Sequence, residues 1–142
     1  MIWRSGQPDI EQLNALRPRS ILESLDIHFT KAGDDYLEAT MPVDTRTVQP
    51  MGLLHGGASV VLAESLGSVA SVLCIDTDTH YCVGLEVNAN HIRAVRDGVV
   101  TGRVTPIHVG RSTHVWDIRI RDNRDRPVCV CRLTMAVLPA KP

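Results

Sequence analysis

Gln49-Pro50-Met51-Gly52-Leu53-Leu54-His55-Gly56-Gly57 runs directly into Ala58-Ser59-Val60-Val61-Leu62-Ala63-Glu64-Ser65-Leu66-Gly67-Ser68-Val69-Ala70-Ser71-Val72-Leu73-Cys74-Ile75. The second part has helical periodicity from Ala58 to about Ile75. It is apolar or small nearly all the way round, which predicts a helix buried on most sides. Leu62, Leu66, Val69 and Leu73 form a bulky stripe. Beside it Ser59, Ala63, Gly67, Ala70 and Cys74 form a stripe of small residues, suited to close approach by another backbone.

Glu64 is the only charged side chain in this helix, and no Lys or Arg occurs between Arg46 and Arg93. Its neighbours one turn away, Val60 and Ser68, cannot form the usual helical ion pair. An unpaired buried carboxylate is costly and tends to raise its own pKa. Glu64 is therefore expected either at a wet edge of the core or in a place where chemistry requires it. The structural alternative is a carboxylate that reaches solvent or bonds to backbone.

The remainder of the chain supplies strands. Residues 9 to 17 read as a short amphipathic helix capped by Asp9, with Ile10, Leu13 and Leu16 on its buried side, and Pro18 ends it. Residues 21 to 25 suggest one more helical turn. Strands are expected over 26–31 and 36–43, the second alternating Leu37, Ala39, Met41 and Val43 inward. After Asp76-Thr77-Asp78-Thr79 the period is two throughout. Residues 80–92 put Tyr81, Val83, Leu85, Val87 and Ala89 on one side, and 99–108 form the next strand. Residues 112–121 place His114, Trp116, Ile118 and Ile120 on one face. In 128–138, Cys129, Cys131, Leu133, Met135 and Val137 point inward, and the tail 139–142 is expected to fray. Short turns between strands imply antiparallel pairing. The expected fold is α+β, with an antiparallel sheet of about six strands curled around one long helix, and association through sheet edges or faces.

A chain of 142 residues has room for one domain, residues 1–142, with a sizeable core. A charged content of 22% and a formal net charge of -1 give no sign of a nucleic-acid or acidic-membrane partner. No apolar run reads as a membrane span, and Met1-Ile2-Trp3-Arg4-Ser5 lacks a signal-peptide core, so a cytoplasmic location is expected. Cys74, Cys82, Cys129 and Cys131 have neither zinc-ribbon nor redox-motif spacing, and read as small core residues without a metal.

In its Gly52-Leu53-Leu54-His55-Gly56-Gly57-Ala58-Ser59-Val60-Val61-Leu62-Ala63-Glu64-Ser65 run, the chain resembles the hotdog-fold acyl-CoA thioesterases. It is most similar to the small single-domain branch that includes 1,4-dihydroxy-2-naphthoyl-CoA thioesterase and the proofreading thioesterase of enterobactin synthesis. The likeness extends through Met1-Ile2-Trp3, 38–44, 83–91 and His108-Val109-Gly110-Arg111. It implies hydrolysis of an acyl-CoA, aryl or otherwise bulky, with coenzyme A as part of the substrate and no separate cofactor. It implies the Gly56 N–H as oxyanion donor, His55 and Gln49 as polarising or orienting groups, and Glu64 as base or nucleophile. Ser68, one turn on, could hold a water or the carboxylate. His91, Arg93, His108, Gly110, Arg111 and Ser112, with Gly84, correspond to substrate- and coenzyme-binding positions, at ends of what read as neighbouring strands. His80 and His114 read as structural. The alternatives are a carrier-protein thioesterase, a hotdog dehydratase, for which no matching signature is present, and a non-catalytic acyl-CoA-binding module.

Helix length constrains the arrangement. Gly56 and Glu64 are eight residues apart, about 12 Å along a helix rising about 1.5 Å per residue. A glutamate cannot span that distance to attack a carbon held against the Gly56 N–H. The two groups are therefore expected from different subunits across a two-fold axis, in a homodimer and, through the family resemblance, a homotetramer.

Overall fold

Every period-two segment forms a strand in the computed structural model, which describes residues 1–140. The strands are β1 (His28–Ala32), β2 (Leu37–Pro42), β3 (His80–His91), β4 (Val99–Val109), β5 (Thr113–Arg121) and β6 (Pro127–Pro139). The helices are α1 (Ile10–Asn14), α2 (Ile21–Ser24) and the long α3 (Gly56–Leu73). All strand pairs are antiparallel, in the order β1-β2-β4-β5-β6-β3. The sheet curls around α3, giving the α+β arrangement that the sequence implies.

The inward residues of β5 and β6 follow the alternation closely. His114, Trp116, Ile118 and Ile120 are buried, as are Cys129, Cys131, Leu133, Met135 and Val137. Against them α3 lays Ala58, Ser59, Leu62, Ala63, Leu66, Gly67, Ala70 and Ser71. The small stripe does permit a close approach, but to a side chain rather than a backbone. A Cβ on Gly67 would stand 2.5 Å from Leu133 Cδ2. Trp116, fully buried, donates its indole N–H to Ser71 Oγ at 2.7 Å, so the one polar atom of this ring is satisfied inside the core.

Several expectations need correction. Helix α3 begins at Gly56, with His55 as its N-cap, and ends at Leu73. It is covered on one face only. Val61, Glu64, Ser65, Ser68 and Val69 are partly exposed and Val72 is 43% exposed, because the sheet reaches only the opposite side. This helix is also long and apolar enough to pass as a short membrane span, although its buried face packs within the sheet. In β3 the single alternation fails, because a bulge lies between Gly84 and Glu86. An inserted residue reverses the facing of every later side chain in the strand. Tyr81, Val83 and Leu85 are thus exposed, while Cys82, Val87 and Ala89 pack on the core.

Asp26 is not in a strand: it has φ 53° in the turn before β1. Leu16 is 55% exposed because α1 stops at Asn14. The expected fraying does not hold at Pro139, which closes β6 opposite His80, or at Ala140, whose N–H donates to Thr79 O at 2.8 Å. Positions 141 and 142 of the expected tail lie outside the described residues.

Candidate active site

The loop before α3 is fixed by its own backbone. Leu54 N–H donates to Val95 O at 2.7 Å and His55 N–H to Thr47 O at 2.8 Å. Thr47, itself buried, donates its hydroxyl to Pro42 O at 2.7 Å. Gly52 has φ 77°, a left-handed conformation that glycine adopts without strain, and this closes the Gln49–Leu53 turn. Within that turn the Gln49 side-chain oxygen accepts from Met51 N–H. Its amide NH2 is left as the donor end of the side chain.

His55 Nδ1 accepts from Gly57 N–H at 2.8 Å. The neutral ring then carries its hydrogen on Nε2 and presents a donor at the helix N-terminus. The first N–H groups of α3 and the positive end of its dipole lie in the same place. Gly56 has no room for a side chain there: a Cβ would stand 2.7 Å from His91 Nε2. His91, the last residue of β3, thus lies across the helix entrance.

Gln49, Gly56, His91 and Arg93 line one cleft of about 300 Å3, with Ser59, Leu53, Leu54 and Val128 among its other walls. Glu64 and Ser68 line a different cleft of about 360 Å3, on the open face of α3, with Ile21, Leu22, Val61, Ser65 and Val69. Glu64 is partly exposed, at the edge of the core. Gly84 belongs to its surroundings: a Cβ there would stand 3.0 Å from Glu64 Oε1 and 3.9 Å from Met135 Sδ. Ser68 Oγ lies 3.9 Å from the same sulfur.

The residues expected to hold coenzyme A do not form one cluster within a chain. His91 and Arg93 lie at and just after the end of β3, whereas His108, Gly110, Arg111 and Ser112 surround the end of β4. These strands are separated in the sheet by β5 and β6 and run in opposite directions, so their C-terminal ends lie apart. Gly110 and Arg111 line a third cleft of about 380 Å3 with Arg4, Cys74, Asp76, Thr79 and His80. Among the described residues, no ion pair uses Arg93, Arg96 or Arg111. The same cleft touches His114, whose Nδ1 has no partner and whose pKa is pushed down by burial, against the effect of a bond to the Gly110 backbone.

Sequence reasoning missed the setting of His91. Its Nδ1 lies 3.5 Å from Cys129 Sγ, which lies 3.5 Å from Cys131 Sγ. Only the register, in which His91 faces Cys129 across β3 and β6, could have revealed that contact. Among the described residues no group of three or more His, Cys, Asp or Glu is arranged to hold a metal ion.

Comparison with known proteins gives the family of the chain. Residues 51–129 match the family model described as the thioesterase superfamily. The chain is 54% identical to a 1,4-dihydroxy-2-naphthoyl-CoA hydrolase of Escherichia coli, over 97% of this chain and 100% of that protein. It is 50% identical to a proofreading thioesterase of Cronobacter turicensis, over 97% and 99%. A crystal structure of a mutant thioesterase from Pseudomonas aeruginosa superposes with a TM-score of 0.96 at 59% identity, covering 99% of this chain and 100% of that one. The chain belongs to the thioesterase superfamily, in its hotdog fold, and is a thioester hydrolase.

Proposed function

We propose that this enzyme hydrolyses aryl- or other bulky acyl-CoA thioesters to the free acid and coenzyme A, in a site shared by two subunits. The observation that carries the reading is the division of the candidate groups. The donors Gln49, His55 and Gly56 stand at the start of α3, and Glu64 and Ser68 line a separate cleft further along it. A partner packed antiparallel on the open face of α3 would bring the two sets together twice, once at each end.

In that site the thioester oxygen accepts from the Gly56 N–H, helped by the helix dipole and by side-chain N–H donors of Gln49 and His55. The partner subunit's Glu64 then either attacks the carbonyl carbon or takes a proton from the water that does. As nucleophile, it displaces the thiolate to give an acyl–glutamyl anhydride, which water then cleaves to the free acid and the restored carboxylate. As base, it leaves the water oxygen bonded to the acyl carbon. The carbon–sulfur bond breaks, and the thiolate takes the proton. The wall beside Glu64 is aliphatic, formed by Ile21, Leu22, Val61 and Val69. Trp3 and Trp116 are buried elsewhere, and Tyr36 lies under the Arg103 guanidinium at 4.0 Å. A planar acyl group would thus be held by aliphatic faces, not by aromatic stacking. Arg93 and Arg111, on separate clefts, are the cations available for coenzyme phosphates.

The relative named a 1,4-dihydroxy-2-naphthoyl-CoA hydrolase supports a bulky aryl group, and a carrier-bound thioester is the alternative substrate. A homotetramer is the proposed assembly. Tyr81, Val83 and Leu138, exposed on the sheet, offer apolar area for the further contact. Four free cysteines fit a reducing, cytoplasmic setting, and no cofactor is required.

The test is thiol release over a panel of aryl-CoA, alkyl-CoA and aryl-carrier thioesters. Hydrolysis of the aryl-CoAs is expected, with Glu64→Gln reducing kcat by about 100-fold or more, the scale of a lost general base. Glu64→Gln retaining most of the activity would refute its assigned role. Exclusive hydrolysis of carrier thioesters would favour the alternative.

A further inference from the structure

His91 ends β3 with one ring nitrogen turned toward the helix entrance and the other into the sheet. A Cβ on Gly56 would meet Nε2 at 2.7 Å and Cε1 at 2.9 Å, so the Nε2 edge covers the residue whose N–H begins α3. On the other side Nδ1 lies 3.5 Å from Cys129 Sγ, its direct cross-strand neighbour. Cys129 and Cys131, both 1% exposed, stand on the same face of β6 with their sulfurs 3.5 Å apart. A run of three polar groups therefore leads from the core to the cleft lined by Gln49, Gly56 and Arg93.

We propose that Cys129 is a positioning residue for thioester hydrolysis: its thiol donates to His91 Nδ1, holding the imidazole as the Nε2–H tautomer with that N–H aimed into the cleft above Gly56. The inference rests on the thioesterase reading of that cleft.

The direction of the chain follows from donor capacity. A neutral imidazole has one donor and one acceptor, and a thiol has one hydrogen to give. Cys131 is the end of the run, and its bond to Cys129 together with burial pushes its pKa up, so it keeps its proton and donates. Cys129 Sγ accepts from Cys131 and has its own hydrogen left for Nδ1, and each bond in such a chain polarises the next. The lone pair of Nδ1 is thereby occupied and the ring hydrogen resides on Nε2. In the other tautomer Nε2 would turn a lone pair toward a carbonyl oxygen that needs donors. An apolar residue at 129 would leave both tautomers accessible, whereas serine keeps a hydroxyl donor on the same Cβ.

Two readouts test this. Long-range 1H–15N NMR correlation of the His91 ring at neutral pH is expected to show the Nε2–H tautomer in the wild type and in Cys129→Ser, and a mixture in Cys129→Val. In thiol-release kinetics Cys129→Val is expected to lower kcat about three- to tenfold with KM unchanged, the effect of one hydrogen bond. Cys129→Ser should restore most of the rate. In a His91→Ala background Cys129→Val should have no further effect. The proposal is overturned by an Nδ1–H tautomer in the wild type, or by Cys129→Val costing as much with His91→Ala as without it. If the wild type cleaves no acyl thioester, the functional reading fails, and the ring spectrum alone still decides the tautomer.

Discussion

Replacing Gly84 by alanine should slow the chemistry about tenfold without weakening the fold. A Cβ at this position would stand 3.0 Å from Glu64 Oε1, with Met135 Sδ behind it at 3.9 Å. Ordinary packing contacts begin near 3.5 Å, so the carboxylate must retreat by about 0.5 Å. A misplacement of 1 Å in a reacting group costs about 100-fold. Half that distance, taken as half the logarithm, gives about tenfold in kcat. Gly84 does not have a positive φ and sits at the bulge of an exposed strand. Alanine is therefore tolerated by the backbone, with stability changing by about 0.5 kcal/mol or less. The assay is thiol release from an aryl-CoA, with melting temperature measured alongside. The expected result is a tenfold lower kcat, an unchanged KM and an unchanged Tm. In a Glu64→Gln background Gly84→Ala should have no additional effect. A kcat within twofold of wild type would refute the placement of Glu64 against β3.

Two further predictions concern the core. Trp116→Phe removes the donor to the fully buried Ser71 hydroxyl and leaves a gap, which should cost about 2–3 kcal/mol. That is a fall in Tm of about 5–10 °C for a domain of this size, and adding Ser71→Ala should recover part of it. The His114 pKa is held below 6.5, chiefly by burial. A depressed histidine contributes stability that is fully present above the unfolded pKa and declines as pH falls toward the folded value. Melting temperature should therefore fall as pH drops below about 6.5, less steeply in His114→Asn than in wild type. Parallel pH profiles for the two proteins would contradict the burial argument.

The legible part of the fold was the part with one regular period. β5 and β6 alternate regularly up to the irregularity at Ile120–Arg121, where Val128 and Cys129 are both buried, and their inward residues could be counted off from Trp116 and Leu133. In β3 the inserted Leu85 breaks the period, and nothing in Val83-Gly84-Leu85-Glu86-Val87 distinguishes a bulge from a continuous strand with an apolar face. Helix α3 was legible as a helix, but not the extent of its cover. An all-round apolar sequence looks the same whether the second face meets its own sheet or remains open, as Val72 does here.

At the candidate site, local spacing carried the Gln49–Gly57 loop and the separation of Gly56 from Glu64. Contacts made by register were hidden: Gly84 beside Glu64, and His91 against Cys129. The expected adjacency of the two strands carrying the coenzyme residues failed for the same reason. β3 and β4 are consecutive in sequence, but β5 and β6 lie between them in the sheet.

The composite site is the central claim, and subunit complementation tests it most directly. Glu64→Gln and a Gln49→Ala/His55→Ala chain should each be nearly inactive alone. Unfolded together in equal amounts and refolded, half of the dimers are mixed, and each has one of its two sites built wholly from wild-type groups. Activity should therefore return to about a quarter of the wild-type value per subunit, by the symmetry of a two-fold dimer. If each site were built within one chain, every chain would carry a defect. The mixture would then be no more active than its parts.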